Sequence, residues 1–412
     1  MLGRNGATMR TRQRLSVLQF TNADVRGGAE EQILGLLRGL DRARFTVHFV
    51  CPPCLAKLMK PDLPEDVELI PLDLGKVSHV SAAVRLALVL RSRRIDILHS
   101  HMFMSSLFAS PIGWLCRTPV ILETAHGREA WRRGWKASFF IDRMISRFVD
   151  HYIAVSRANA LYLRDSKRYD PSKITVIEPG SNFGRFETAR PPDAALRESQ
   201  GIAADDPLIV MVGRLEPQKG HSVLLNALPR VLAEFPCTKV ALVGDGSCRG
   251  AIQAQISNLG LESAVKLVGY APDMRDWLAL ATFTVLPSFH EGLPVTPIES
   301  LAAGKAVVAT AVDGTTEVVI DGRTGLTVPP GDPAALAEAI CHMLSDSGLR
   351  DKLARDGREW VLGNYSMSRM VRRNEDLYQA VLKRRATAGI GTPLATRPAA
   401  MPVAGASQGR KS

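Results

Sequence analysis

Short apolar runs recur along this chain, and each is followed by a turn and a segment long enough to form a helix. One set of runs lies between residues 15 and 180: LSVLQF, FTVHFV, IDILHS, PVILETA, HYIAVS and ITVIEPG. A second set lies between residues 208 and 312: LIVMVGRL, KVALVGDG, VKLVGY, FTVLPS and AVVATAV. Runs that are apolar on both faces and alternate with helices are typical of parallel sheets covered on both sides. The pattern therefore predicts an α/β protein with two doubly wound, Rossmann-like domains.

The length supports a division into two domains, because 412 residues exceed the size at which a single hydrophobic core keeps growing. A polar, proline-containing stretch between the two sets of runs is the best candidate for the connection. The end of the chain is rich in Ala, Gly, Pro and Ser without apolar periodicity, which predicts disorder. The predicted organisation is a flexible basic N-terminus (1–14), an N-terminal domain (15–186), a linker (187–207), a C-terminal domain (208–365), a helix expected to return to the N-terminal domain (366–385) and a disordered tail (386–412).

The net charge of +11 and the pI near 9.6 favour an anionic partner, which could be a small ligand, a nucleic acid or a membrane surface. We expect no nucleic acid, because no signature of a DNA- or RNA-binding module is present. Six scattered cysteines and a basic, polar N-terminus favour a reducing, cytoplasmic compartment. The CPPC at 51–54 has the spacing of a redox or metal pair, but it has no second CxxC and follows an apolar run, so we expect two ordinary cysteines at a strand end. The longest membrane-like stretch, 102–116, is shorter than the roughly 20 residues of a spanning helix.

Glycines and cations follow the first strand of each predicted domain. Gly27 and Gly28 precede the first helix, where backbone N–H groups can bind an anion. A tight strand-to-helix turn would use the same two residues. Arg214 and Lys219 follow the first strand of the second domain. At the carboxyl end of a parallel strand this pair could neutralise a diphosphate, although a solvated pair of charges is the alternative.

Glu291 and Glu299 flank a Gly-Leu-Pro turn in the sequence SFHEGLPVTPIES. A helix-start signal follows the turn. Thr296 is the candidate N-cap, the proline after it would be the first helical residue, and Glu299 would be the third. Backbone N–H groups around Gly292, Leu293 and the helix start could bind phosphate. Carboxylates, in contrast, accept hydrogen bonds from neutral hydroxyl groups. The expected ligand therefore carries both phosphates and a polyol.

These motifs resemble those of the retaining glycosyltransferases of family 4. The resemblance is carried, in chain order, by GGAE (27–30), TAHG (124–127), VGRLEPQKG (212–220), VGDG (243–246), VGY (268–270) and the E-x7-E pair (291–299). It covers roughly residues 15–385. It implies the GT-B architecture, in which two Rossmann-like domains face each other across a cleft. It also implies transfer of a sugar from a nucleotide-sugar, most often UDP-linked in this family, to an acceptor.

The resemblance implies a role for each residue that matches a motif. Glu299 would hold the ribose hydroxyls of the donor, and Glu291 the hydroxyls of its sugar. The diphosphate would be stabilised by the cation pair and by backbone N–H groups. The implied donor-binding residues are Gly28, Arg214, Lys219, Glu291, Gly292, Leu293 and Glu299.

The reaction implied by the resemblance is front-face transfer with retention of configuration. His126 matches the active-site histidine of the family, although a lone histidine before a glycine is more often a local hydrogen-bonding residue. The implied catalytic residues are His126, Arg214, Lys219 and Glu291. The sequence contains no Asp-x-Asp pair, so we expect no bridging metal and no cofactor, the nucleotide-sugar being a substrate. Asp313 stands where the family commonly has glycine, which leaves the conformation of that loop open.

We expect the acceptor to bind mainly to the N-terminal domain, where residues 128–150 combine cations with aromatic side chains. Such a segment suits an anionic membrane surface or a lipid-linked acceptor at the inner membrane face. A solvated face over a buried aromatic edge is the alternative. The candidate acceptor or membrane residues are Arg128, Arg132, Arg133 and Lys136. The expected function is synthesis of a cell-surface polysaccharide or glycolipid, and an epimerase or hydrolase acting on the nucleotide-sugar is the alternative.

Overall fold

The N-terminal domain is built on one parallel sheet. A computed structural model describes residues 14–74, 80–128, 139–186, 193–271 and 273–387 of the chain. The strands of this sheet are β1 (Leu15–Phe20), β2 (Phe45–Cys51), β3 (Glu68–Pro71), β4 (Ile97–His101), β5 (Val120–Ala125), β6 (His151–Ala154) and β7 (Ile174–Val176). They lie in the order β3-β2-β1-β4-β5-β6-β7, and every neighbouring pair is parallel.

Helices cover both faces of this sheet. They are α1 (Gly28–Gly39), α2 (Pro53–Met59), α3 (Val80–Ser92), α4 (Phe103–Leu115), α5 (Phe139–Ile145) and α6 (Arg157–Asp165). Successive residues of a strand point to opposite faces. Val17 accordingly packs in a cluster with Ile33 of α1, whereas Leu18 packs in a cluster with Leu86 of α3. Because both faces are buried, most side chains of the strands are apolar, and polar ones such as Gln19 and His99 are themselves buried.

The second domain repeats this plan with a six-stranded parallel sheet of order β10-β9-β8-β11-β12-β13. After α7 (Ala194–Ser199), its strands are β8 (Leu208–Val212), β9 (Lys239–Val243), β10 (Val265–Gly269), β11 (Phe283–Leu286), β12 (Val307–Thr310) and β13 (Leu326–Val328). Its other helices are α8 (His221–Glu234), α9 (Arg249–Asn258), α10 (Arg275–Leu280), α11 (Val295–Ala302), α12 (Thr315–Val318), α13 (Pro333–Ser345) and α14 (Ser347–Asn364). The prediction of two doubly wound parallel sheets is confirmed.

Part of the stretch predicted as a linker packs on the second domain. Residues 193–207 include α7, and Ile202 lies in a core cluster with Val210 of β8 and Trp277 of α10. The polar composition of the stretch hid this contact, because only a few of its residues, Ile202 and Leu196 among them, pack against the cluster. The second domain therefore begins before residue 208.

The last helix, α15 (Met367–Thr387), packs on the N-terminal domain although it follows the second domain in sequence. Tyr378 and Val371 of this helix belong to the same core cluster as Val17. Glu375 accepts a hydrogen bond from the backbone N–H of Asp41 over 2.8 Å and pairs with Arg44 over 2.8 Å. This helix completes the layer that α1 and α2 begin.

The chain crosses between the domains twice, and the two crossings are bonded to each other. The N–H of Ser181 donates to the carbonyl of Tyr365 over 2.8 Å, and the N–H of Met367 donates to the carbonyl of Ser181 over 2.9 Å. Gly180 lies in this contact, and its N–H donates to Gln32 of α1. The start of α15 is thereby fixed against the end of the first domain.

Several predictions fall on residues outside the described ranges. They concern the N-terminal residues 1–13, the tail from 388 onwards, and Arg132, Arg133 and Lys136 of the candidate acceptor segment. Within the described ranges, no helix has the length and apolar character needed to cross a bilayer.

We expect Gly180→Ala to destabilise the protein, because the new methyl group would lie 2.6 Å from the Cα atom of Met367 and 2.7 Å from the carbonyl oxygen of Ser366. Backbone atoms cannot move aside as a side chain can, so a loss of about 1–3 kcal/mol is expected in urea unfolding. Gly363→Ala is the control, because no atom lies within 4 Å of a β-carbon at that position of α14. Equal stability of the two variants would contradict this account.

Candidate active site

The loops that follow the strands of the two sheets meet between the domains. A β-carbon on Gly292, which follows β11, would lie 2.0 Å from the carbonyl oxygen of His126, which follows β5. A β-carbon on Gly314 would lie 2.0 Å from the carbonyl oxygen of Gly292. Only glycine fits at these two positions, so the backbone of one domain rests directly on that of the other. This contact sets the residue after Glu291 against the backbone of His126 and Gly127.

Lys219 and Glu291 form an ion pair at this junction. Nζ of Lys219 lies 2.6 Å from Oε1 of Glu291, and the same oxygen accepts a hydrogen bond from Ser288 over 2.7 Å. Glu291 is buried, with 7% of its side chain exposed, and Lys219 is 16% exposed. The sequence analysis gave these residues separate roles and did not foresee the pair. A buried carboxylate beside a cation offers both hydroxyl and phosphate groups a partner.

Asp313 connects this pair to the N-terminal domain. It has a φ of 39°, in the left-handed region that favours glycine. Its carboxylate accepts the backbone N–H of Glu291 over 3.1 Å and pairs with Arg128 over 2.7 Å. The guanidinium group of Arg128 also lies over the ring of Tyr162. Arg128, predicted to face an acceptor or membrane, is therefore engaged in a contact between the domains.

The predicted capping role of Thr296 and Glu299 is wrong. α11 begins at Val295, with Pro294 at its N-cap position and no side-chain cap. The fixed φ of proline suits the start of a helix, so the chain turns helical two residues earlier than the threonine signal suggests. Glu299 is then the fifth helical residue, beyond the amides that a cap serves. Its carboxylate instead accepts a hydrogen bond from the hydroxyl of Ser181 over 3.2 Å.

Glu299 titrates near neutral pH. Burial raises the pKa of its carboxyl group to about 7, and the carboxylates of Glu31 and Asp273 add to this effect. The charge of Arg185 and the hydrogen bond from Ser181 act in the opposite direction. A ligand that donates hydroxyl hydrogens to Glu299 would favour its ionised form.

The N-terminus of α1 contributes a buried acid that the sequence analysis did not single out. Gly28 is the first residue of α1, and Glu30 accepts a hydrogen bond from the N–H of Gly27 over 3.0 Å. Burial raises the pKa of Glu30, and the positive charge of Arg214 from the second domain opposes this shift. Among the described residues, Oε1 of Glu30 has no hydrogen-bond partner. The side chain of Arg214 is exposed.

His126 is half-buried and belongs to a group of three histidines. Nε2 of His126 lies 3.1 Å from Nδ1 of His101, and the rings of His101 and His99 lie 4.4 Å apart. Burial lowers the pKa of His126 to about 4 and that of His99 to about 3. Both are therefore neutral at pH 7. The sequence analysis missed His99 and His101, which lie inside a strand; the His-x-His spacing at a strand end was the available signal.

The remaining predicted residue, Leu293, lies with its side chain in the core of the second domain. Only its backbone can contribute to the cleft, as predicted for a phosphate-binding amide. The structure thus brings Lys219 and Glu291 into contact, sets Gly292 against the backbone of His126, and lets the charge of Arg214 act on Glu30 of α1.

Two parallel α/β domains whose loops after the strands meet have the architecture of the GT-B fold. Residues 193–360 match the family described as glycosyl transferases group 1, and residues 26–185 match glycosyltransferase family 4. The chain therefore belongs to the group 1 glycosyltransferases, as the motif resemblance implied.

Related sequences and solved structures agree with this assignment. The chain is 30% identical to the D-inositol 3-phosphate glycosyltransferase of a Nocardioides species over 314 residues, covering 69% of this chain and 67% of that protein. It is 26% identical to the protein named "Putative glycosyltransferase EpsD" of Bacillus subtilis, over 71% of this chain and 79% of that protein. A glycosyltransferase of Rickettsia africae superposes with a TM-score of 0.76 at 25% identity, covering 90% of this chain and 99% of the other. HepE of Anabaena, solved with UDP-glucose, shares the fold with a TM-score of 0.78 at 18% identity, over 89% of this chain and 100% of that one.

We expect the stability of the ligand-free protein to depend on pH through Glu299. Its pKa is raised in the folded protein from an ordinary value of 4.5 to about 7, so the folded state binds this proton more tightly than the unfolded state. The contribution of Glu299 to stability therefore falls as pH rises through this window. Glu299→Gln stays neutral and should gain stability relative to the wild type between pH 5 and pH 8. Urea unfolding at both pH values measures the difference.

The control for this experiment is Glu262→Gln, at an exposed position. A stability difference between wild type and Glu299→Gln that is the same at both pH values would contradict the expected titration.

Proposed function

We propose that this chain is a retaining glycosyltransferase that moves a sugar from a nucleotide-sugar, with UDP as the favoured nucleotide, to a glycan or lipid-linked acceptor. The observation that carries the proposal is the ion pair of Lys219 and the buried Glu291 in the loops after β8 and β11, beside the contact between Gly292 and His126. The carboxylate can accept hydrogen bonds from hydroxyl groups, and the cation beside it can bind phosphate oxygens. The pair therefore suits a ligand in which a sugar is joined to a diphosphate. The complex of HepE with UDP-glucose supports a donor of the same class.

The donor would bind between the two domains and contact residues of both. Glu291 would accept hydroxyl groups of the sugar, and Glu299 would accept those of the ribose. Lys219 and Arg214 would face the diphosphate, with backbone N–H groups of Gly28 and of the Gly292 loop as further donors. Because the pKa of Glu299 is raised to about 7, binding of a ribose to its ionised form is expected to release a proton near neutral pH.

The reaction would proceed on one face of the sugar. The bond between the anomeric carbon and the diphosphate oxygen breaks, and its electron pair stays on that oxygen. The acceptor oxygen forms the new bond on the same face, and its proton passes to the departing diphosphate. Arg214 and Lys219 would stabilise the charge that develops on the leaving group. We propose that no metal ion or cofactor takes part, since the two cations can meet the diphosphate charge.

We expect Glu299→Ala to weaken the binding of UDP and of a UDP-sugar alike, by about tenfold each, because both ligands carry the ribose. Glu291→Gln should weaken mainly the UDP-sugar, because it alone carries the transferred sugar, and it frees Lys219 for phosphate. Isothermal titration with a panel of nucleotide-sugars and the matching nucleotides measures both effects.

Absence of binding by every nucleotide-sugar at millimolar concentration would contradict the donor proposal. Hydrolysis or epimerisation of the best ligand without transfer to any glycan or lipid-linked acceptor would favour the alternative function.

The N-terminal domain offers a surface for an acceptor at the inner membrane face. Helices α3, α4 and α5 pack side by side on one face of the first sheet. Their exposed apolar side chains are Val80, Val84, Leu88, Met104, Trp114, Leu115, Phe140, Ile141 and Met144. Exposed cations also lie on or beside these helices, among them Arg85, Arg91, Arg117 and Arg143. The acidic side chains of residues 80–128 and 139–149, in contrast, are buried. Apolar side chains within a basic surface suit an anionic bilayer.

We expect the double variant Leu88→Glu and Phe140→Glu to lose binding to vesicles that contain phosphatidylglycerol, because it places two acids on this surface. Co-sedimentation of the full chain with such vesicles measures the binding. Leu362→Glu is the matched control, at an exposed leucine of the second domain. Unchanged sedimentation of the double variant, or equal binding to neutral phosphatidylcholine vesicles, would contradict the membrane proposal.

A further inference from the structure

A series of hydrogen bonds between buried side chains connects His126 to the last helix. Nε2 of His126 lies 3.1 Å from Nδ1 of His101. Nε2 of His101 lies 2.8 Å from Oε1 of Gln19, and the amide nitrogen of Gln19 donates to the hydroxyl of Tyr378 over 3.0 Å. These residues come from β1, β4, the loop after β5 and α15, and they meet near the carboxyl ends of the central strands of the first sheet.

Tyr378 continues the series on its other side. Its hydroxyl lies 2.7 Å from Nδ1 of His99, and Nε2 of His99 lies 2.7 Å from the hydroxyl of Thr124. Tyr378 is fully buried, so its hydroxyl hydrogen has to find an acceptor inside the protein. By accepting from Gln19 and donating to His99, the hydroxyl uses both of its roles.

The orientation of the Gln19 amide determines which nitrogen of each histidine carries a hydrogen. A carbonyl oxygen only accepts, so Nε2 of His101 is the protonated nitrogen. Burial holds the pKa of His101 well below its ordinary value, so this ring is neutral and its Nδ1 is an acceptor. Nδ1 of His101 therefore accepts a hydrogen bond from the Nε2–H of His126.

We propose that Tyr378 and Gln19, acting through His101, hold His126 in the tautomer that has its hydrogen on Nε2 and a free lone pair on Nδ1. Nδ1 is the ring nitrogen that does not face His101, and it can accept a hydrogen bond from a hydroxyl of the bound sugar. This last step rests on the proposed function, because the donor sugar supplies the hydroxyl. His126 contacts the substrate in this scheme, and Tyr378, Gln19 and His101 are positioning residues.

The choice of tautomer affects how the sugar binds. With a lone pair on Nδ1, His126 receives the hydrogen of a sugar hydroxyl, as the carboxylate of Glu291 does. With a hydrogen on Nδ1, the same hydroxyl would have to turn and present its oxygen. Fixing the tautomer in the free protein removes this ambiguity before the donor arrives, which is a form of preorganisation.

Nitrogen NMR of the full chain with ¹⁵N-labelled histidine reads the tautomer without any substrate. We expect His126, assigned by the loss of its signals in His126→Gln, to have a protonated Nε2 and an unprotonated Nδ1. Tyr378→Phe removes the oxygen that accepts the Gln19 amide, so the amide can turn and present its N–H to His101. The His126 signals of this variant should move towards the average of the two tautomers.

The binding readout uses a matched tyrosine. Tyr152→Phe removes a hydroxyl from a tyrosine that is equally buried, at 1% exposure, and lies outside the series. We expect Tyr378→Phe to weaken the affinity for the preferred UDP-sugar by about three- to tenfold, the factor for one neutral hydrogen bond, and to leave the affinity for UDP unchanged. Tyr152→Phe should leave the affinity for both ligands and the His126 signals unchanged.

An Nδ1–H tautomer in the wild-type protein would overturn the inference. So would unchanged His126 signals in a Tyr378→Phe variant that keeps its fold by circular dichroism. If this variant does not fold, the wild-type spectrum still decides which tautomer is present. The wild-type protein could show the expected tautomer, and Tyr378→Phe could change it, while no nucleotide-sugar binds. This result would support the control of the His126 tautomer and would overturn the proposed function.

Discussion

Burial of both parallel sheets on both faces is the constraint on which the rest of the structure depends. Most side chains in the middle of a strand are therefore apolar, as Val17 and Leu18 are on opposite faces of β1. A polar side chain inside a strand needs an internal partner, and His99 has one in Tyr378. Charged groups are therefore placed in the loops after the strands, where the two domains meet. The position of Lys219 next to Glu291 is a consequence of this arrangement.

The apolar runs predicted the fold well, because the composition of a strand reflects its burial directly. The sequence also identified His126, Lys219 and Glu291 as candidate residues, but it could not predict their contacts. Lys219 and Glu291 are 72 positions apart, and their ion pair depends on how the loops after β8 and β11 approach each other. The helix start at Val295 was misplaced because two competing signals, a proline and a threonine, lie within three residues.

The hydrogen-bond series behind His126 was beyond sequence reasoning for a different reason. His99 and Tyr378 are 279 positions apart, and they meet only because α15 returns to the first sheet. A histidine within an apolar run and a tyrosine on an amphipathic helix each have an ordinary explanation when taken alone. Their common role becomes visible only when the donor and acceptor of every buried polar group are accounted for. The conformation of the loop at Asp313 could not be predicted from the sequence either, because an aspartate there adopts a φ that is typical of glycine.

The position of α15 also affects how the protein is made. The N-terminal domain obtains its last core residues, among them Tyr378 and Val371, from the end of the described chain. On the ribosome, the first sheet therefore emerges with the surface for α15 still uncovered, while the second domain is complete by the end of α14. The domain synthesised first is thus the last to finish folding, and its apolar surface is open to chaperones throughout that interval.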